Sequence, residues 1–207
     1  MGMFLNSIEP YDKYKTITKG LYFVDKTELL EELIPALEQE QRFFCITRPR
    51  RFGKTVMANM IASFFEKSEG GSDIFDRLKI SEYPKYKEHL NKHDVVYIDF
   101  SEMPKECDSY KKYISRIEEG IYYDLREKYS DLYLKQEDAI WDIFSKIFNE
   151  TKKKFIFVMD EWDAVFHMSF MTEKNREDYL LFLKLLLKGQ SYVELAYMTG
   201  VLPIAKY

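Results

Sequence analysis

A chain of 207 residues with 46% hydrophobic and 32% charged side chains has the composition of a globular α/β-sized domain with a substantial core, which excludes a disordered or fibrous chain. A net charge of −4 excludes a surface that tracks nucleic acid along its whole length, and two cysteines, Cys45 and Cys107, exclude a disulfide framework. No signal-like apolar core opens the chain and no apolar run is long enough to span a bilayer, so the expectation is a cytoplasmic protein with no membrane contact.

In chain order, residues 1–20 read as a polar and aromatic lead-in, followed by a short strand at Leu21–Val24. Asp25, Lys26 and Thr27 are placed to cap a helix over Glu28–Glu40, where Leu29, Leu30, Leu33, Ile34 and Leu37 form a helical stripe. The apolar run Phe43–Ile46 predicts a core strand, with Cys45 as a small buried thiol inside it. The chain then reads Arg48-Pro49-Arg50-Arg51-Phe52-Gly53-Lys54-Thr55-Val56 and continues as a helix carrying Met57, Met60, Ile61, Phe64 and Phe65, which Glu69–Ser72 ends.

Strand, loop and helix with Gly-Lys-Thr at the joint is the layout of a phosphate-binding loop. A triphosphate carries several negative charges on closely spaced oxygens. The turn into a helix offers unpaired N–H groups and the positive end of the helix dipole. Gly53 lets the main chain come close, Lys54 reaches phosphate as a mobile charge, and the Thr55 hydroxyl suits one coordination position of Mg2+. The usual pattern has glycine where this chain has Arg48, whose Cβ makes a positive φ costly.

Further along, Val95–Phe100 predicts a strand whose Asp99 is read as structural, since alternation leaves its face undecided. Residues 109–129 and 137–152 have helical periodicity, and 177–188 reads as a largely buried helix. The run Phe155–Met159 ends in Asp160 and Glu161, and its aromatic and β-branched residues predict a buried parallel strand with two carboxylates at the end where such sheets keep their sites. Asp160 fits the acidic residue that holds the magnesium shell, and Glu161 the base that polarises an attacking water. Val193–Gly200 is another strand, ending in Thr199. That residue is either a polar sensor of phosphate and water or an ordinary strand end. Asp163 is read as the N-cap of a helix at Ala164, with a contact beyond magnesium as the alternative. Asn91–Asp94 resembles a guanine-reading motif in the wrong place and reads as a turn. His89 and His93 lack a third zinc ligand and read as solvated histidines at a helix end.

The segments Phe23–Thr27, Arg48–Thr55, Asp160–Asp163 and Met198–Ile204 together resemble the predicted AAA-ATPase-like family of bacteria and archaea, over most of the chain. In that family the Arg-Pro-Arg-Arg-Phe-Gly-Lys form is itself the usual loop, and the position of Trp162 is usually tyrosine. The resemblance implies a P-loop NTPase three-layer sandwich with a mainly parallel central sheet, ASCE/AAA-like, in which residues 1–40 form a lead-in and helix packed on an ATPase core over 41–207. It implies ATP and Mg2+ as ligands, with Lys54, Thr199 and Glu161 as the catalytic set, residues 48–56 around the nucleotide, and Thr55 and Asp160 at the metal. Family members commonly carry a restriction-endonuclease-like nuclease domain after the ATPase, through which nucleic acid would be met, and homo-oligomer formation stays open. Seven residues follow Gly200, so the chain is expected to lack a last strand, a lid and that nuclease domain. Two functions follow as expectations: a magnesium-dependent ATPase module that drives or regulates an attached or partner domain, or a nucleotide-gated regulatory module with little hydrolysis.

Overall fold

The computed structural model describes residues 2–39, 42–67 and 73–202. Four strands, β1 (Phe43–Thr47), β2 (Asp94–Asp99), β3 (Phe155–Asp160) and β4 (Val193–Gly200), form one sheet in the order β1-β4-β3-β2, with every pairing parallel. Seven α-helices accompany them among the described residues: α1 (Glu9–Thr18), α2 (Glu28–Glu38), α3 (Lys54–Phe65), α4 (Tyr86–His89), α5 (Tyr110–Lys128), α6 (Ile140–Thr151) and α7 (Glu173–Leu187). This is the α/β architecture of a P-loop NTPase-like sandwich.

Side-chain alternation builds the three layers. Along β3, Phe155, Phe157 and Met159 enter a core with α5, α6 and α7, while Ile156 and Val158 enter the opposite core with α1, α2 and α3. A strand buried on both faces is apolar along its length: Phe155 to Met159 are all buried, and the only polar residue of β3, Asp160, is buried at its C-terminal end. Because all strands run the same way, Thr47, Asp99, Asp160 and Thr199 come to one edge of the sheet. Asp99 lies opposite Asp160, and Ile46 opposite Thr199.

Several expectations change. Leu21–Val24 is a turn and extended segment without strand pairing, and residues 9–18 form helix α1, opened by Pro10 in its first turn. Asp25 accepts hydrogen bonds from the Thr27 N–H and hydroxyl, so the capping role falls to Asp25 at the entry to α2, which ends at Glu38. Cys45 is exposed rather than buried, because among the described residues β1 has a sheet neighbour on one side only. α7 is longer than expected, starting from a Thr172 cap, and leaves Leu181 half exposed. The proposed helix end at Glu69–Ser72, and Pro203 and Ile204, lie outside the described residues. The other sheet edge is occupied: residues 4–6 run along β2, with Asn6 N donating to Val95 O at 2.8 Å and Tyr97 N to Phe4 O at 2.8 Å.

Candidate functional site

The segment between β1 and α3 supplies the first half of the site. Arg48 N–H donates to Gly200 O at 3.2 Å and so prolongs the β1–β4 ladder, and the left-handed conformations fall at Arg51 (φ 71°) and Gly53 (φ 76°). The missing glycine at position 48 therefore carries no backbone cost. A Cβ on Gly53 would meet nothing within 4 Å, so glycine is required there by its φ alone. Gly53 is the N-cap of α3, no side chain caps that helix, and its first turn holds no acidic residue. Its leading N–H groups are left for an anion.

Lys54 is buried, and its Nζ donates to the carbonyls of Arg48 at 3.1 Å and Pro49 at 3.3 Å. The ammonium is thus held beneath the loop by weak acceptors that a phosphate oxygen would outcompete. Arg48, Pro49, Arg50, Arg51 and Phe52 are exposed around it, while Thr55 and Val56 are half-buried on the first turn of α3.

β3 and β4 supply the second half. Asp160 has no exposed surface, and one of its oxygens, Oδ1, accepts a hydrogen bond from the Thr199 hydroxyl. The same hydroxyl accepts from Glu161 N–H at 3.2 Å, so Thr199 ties the two carboxylate-bearing residues together. Burial raises the Asp160 pKa, with Asp99 adding to it; the hydrogen bond from Thr199, an interaction with the Thr55 side chain and the Glu161 amide oppose the rise. Asp160 Oδ2 is buried without a well-formed hydrogen bond. A buried carboxylate oxygen in that condition is costly unless a partner completes it.

Glu161 sits directly beyond the strand in a left-handed conformation, φ 48°, which a glutamate adopts only under constraint from its surroundings. Its pKa is raised by burial, then by Asp160 and Asp99, against the lowering fields of Lys54 and Arg50. Arg50 is the loop arginine whose charge reaches Glu161. Asp99 takes part in this electrostatics, although its Oδ1 is engaged in a turn with Ser101 N at 2.9 Å and Oγ at 2.6 Å. The signal for it in the sequence was a second apolar strand ending in aspartate; what the sequence withheld was the register that sets it opposite Asp160.

Asp163 does not cap a helix with its side chain. Its Oδ2 accepts from the amides of Val201 (2.9 Å) and Leu202 (2.6 Å), holding the chain that leaves β4. Gly200 is required beside it, since a Cβ there would stand 2.5 Å from Trp162 Nε1. Trp162 is buried, with its backbone carbonyl accepting from the Tyr179 hydroxyl at 2.6 Å.

Asn91 makes the expected turn, at φ 56°. His89, which ends α4, and His93 are half-buried rather than fully solvated: their rings stack at 7° and share a 3.0 Å hydrogen bond, and His93 Nδ1 lies 3.0 Å from Glu194 Oε2. They belong to the opposite end of the sheet.

The donors present fit magnesium. Thr55 and Asp160 offer hard oxygen donors on neighbouring elements, and no group of three or more His, Cys, Asp or Glu able to hold a metal occurs among the described residues. A single carboxylate and a hydroxyl suit an ion that keeps its waters and completes its shell with phosphate oxygens.

No helix among the described residues is long and apolar enough to cross a membrane. The model of one protein family, described as a predicted AAA-ATPase, matches residues 8–207. No curated protein matches the chain.

Proposed function

The chain belongs to the predicted AAA-ATPase-like family, and from that premise we propose that it binds ATP with Mg2+ and hydrolyses it, coupling the cycle to an attached or partner domain. The observation that carries this reading is the pairing of an uncapped helix start at Gly53–Lys54 with the unfinished carboxylate of Asp160, joined through Thr199 to Glu161.

The triphosphate would lie along residues 48–55, on the N–H groups that begin α3. Lys54 Nζ would exchange two neutral carbonyls for phosphate oxygens, a stronger acceptor on the same short path. Thr55 and Asp160 would hold the magnesium ion, which when bound neutralises charge on the phosphate oxygens. Glu161 would take a proton from the attacking water. Burial and two neighbouring carboxylates raise its proton affinity above that of an ordinary glutamate, which suits a base working near neutrality. Thr199 would hold Glu161 to the line of attack through its backbone bond while fixing which oxygen of Asp160 is left free. Arg50, whose charge is felt at Glu161, would counter the negative charge gathered around the transferring phosphoryl group.

Glu161→Gln tests the assignment. The variant is expected to bind ATP within about threefold of the wild type and to lose at least two decades of turnover. Turnover retained in the variant would remove Glu161 from the role of base. Magnesium-dependent binding without turnover in the wild type would move the reading to a nucleotide-gated regulatory module.

A further inference from the structure

Two carboxylates end adjacent strands at the edge of the sheet that carries the loop. Asp99 is the register partner of Asp160 across the parallel pair β2–β3, so their Cα atoms stand one strand spacing apart, roughly 4.8 Å. Alternation sets the face from which each side chain leaves. In β2, Val95 and Tyr97 enter the core shared with α3, and Val96 and Ile98 enter the opposite one. Asp99 continues the first series, as Asp160 continues that of Ile156 and Val158. Both aspartates therefore stand on the face that α3 covers, at the end where the phosphate loop opens.

Like charges directly opposite one another in a sheet repel. Among the described residues no ion pair involves Asp99 or Asp160. Asp99 lies close enough for its charge to act on both Asp160 and Glu161. The other end of β2 shows how the fold completes such a group by itself, since Asp94 there receives Lys67 and Lys128. At Asp99 one oxygen, Oδ1, accepts from the Ser101 amide at 2.9 Å and from its hydroxyl at 2.6 Å, which fixes the orientation of the carboxylate. Oδ2 has no hydrogen-bond partner among the described residues, and Asp99 is half-buried, so water reaches it.

A cation at Asp160 would relieve both charges, and the donor set decides how Asp99 meets it. Asp99, Asp160 and Glu161 do not form a group able to hold one ion directly. Magnesium keeps most of its waters, which leaves water as the link to a carboxylate one strand further from the loop. We infer that Asp99 is a positioning residue of the magnesium site, its Oδ2 accepting a hydrogen bond from water on an ion held by Thr55 and Asp160. This rests on the nucleotide reading above, and it gives β2, the strand farthest from β1, a part in the same site. Partners of this kind orient what an ion binds and tune its affinity without touching it.

Calorimetric titration of the wild type, Asp99→Asn and Glu102→Gln with a non-hydrolysable ATP analogue, with and without Mg2+, tests the role. Asparagine keeps the acceptor that Ser101 uses, so the turn and the thermal midpoint should hold. In Asp99→Asn the gain in affinity that Mg2+ brings should fall by at least about threefold, while affinity without Mg2+ stays the same or rises because a negative charge has left the triphosphate's surroundings. Glu102→Gln removes a charge from the same turn, where Glu102 N donates to Asp99 O at 3.3 Å, and should leave the gain unchanged. With Mn2+ in place of Mg2+, electron paramagnetic resonance in isotope-labelled water should count the same number of bound waters in the wild type and in Asp99→Asn. An unmoved gain in Asp99→Asn, an equal loss in Glu102→Gln, or one more water on Mn2+ in Asp99→Asn, the mark of a lost direct ligand, overturns the water-mediated role and leaves the nucleotide reading standing. A folded wild type that binds no nucleotide overturns both.

Discussion

Asp94 and Asp160 are both aspartates in strands, both buried, and lie at opposite ends of the sheet. Asp94 receives Lys128 and Lys67 as ion pairs, the latter at 3.1 Å, together with Asn6 Nδ2 at 3.1 Å and the Tyr129 hydroxyl at 3.3 Å. Although burial pushes its pKa up, these partners hold it below the ordinary carboxylate value. Among the described residues Asp160 has hydroxyl neighbours, no cation paired with it, a carboxylate across the register and one oxygen without a well-formed hydrogen bond, and its pKa is raised. Burial is therefore not what distinguishes the two carboxylates. The distinction is whether the fold completes the shell: at one end the aspartate is paired with cations, and at the other one oxygen has no hydrogen-bond partner among the described residues, which is what the proposed magnesium role of Asp160 rests on.

The largest effect that sharpens this contrast is Asp94→Ala. Removing the shared partner of two lysines and a tyrosine should cost about 4 kcal/mol, read as a lowered urea midpoint at unchanged slope. Loss below about 1 kcal/mol would show that solvent already satisfies those lysines.

Glu66 tests the contrast from within the anchoring end, where it is buried without a paired cation among the described residues and burial, with Asp12, pushes its pKa up to about 8. A folded-state value above the unfolded one means that its stabilisation is complete below pH 4.5 and is lost as pH rises toward 8. Between pH 5 and 8 the loss should be about 3 kcal/mol, and Glu66→Gln should flatten that part of the stability profile. An unchanged slope in the variant would show that Glu66 finds a partner in solution.

Asp160→Asn should have the smallest effect on stability. Replacing an uncompleted buried carboxylate with an amide is expected to leave stability within about 1 kcal/mol of the wild type, on the stabilising side.

The sequence carried the loop, the buried strand before Asp160 and the Thr199 strand because each combines a period with chemistry: an apolar run, then a polar group at a strand end. It did not carry α1, whose inward residues include Tyr11 and Tyr14 rather than aliphatics, so its helical stripe is too polar to stand out. Asp99 was out of reach for another reason. Its place opposite Asp160 is set by strand register, which is long-range. Cys45 and the histidine pair were misjudged because exposure depends on which elements cover a strand or a turn, and local pattern does not encode that.

The central claim is that Asp160 is left incomplete for a metal brought with the nucleotide. Titrating the wild type and Asp160→Asn with a non-hydrolysable ATP analogue, with and without Mg2+, tests it most directly. The account predicts that Mg2+ strengthens binding by at least about tenfold in the wild type and by less than about twofold in the variant. A magnesium effect of equal size in both proteins, or a folded wild type that binds no nucleotide, would contradict it.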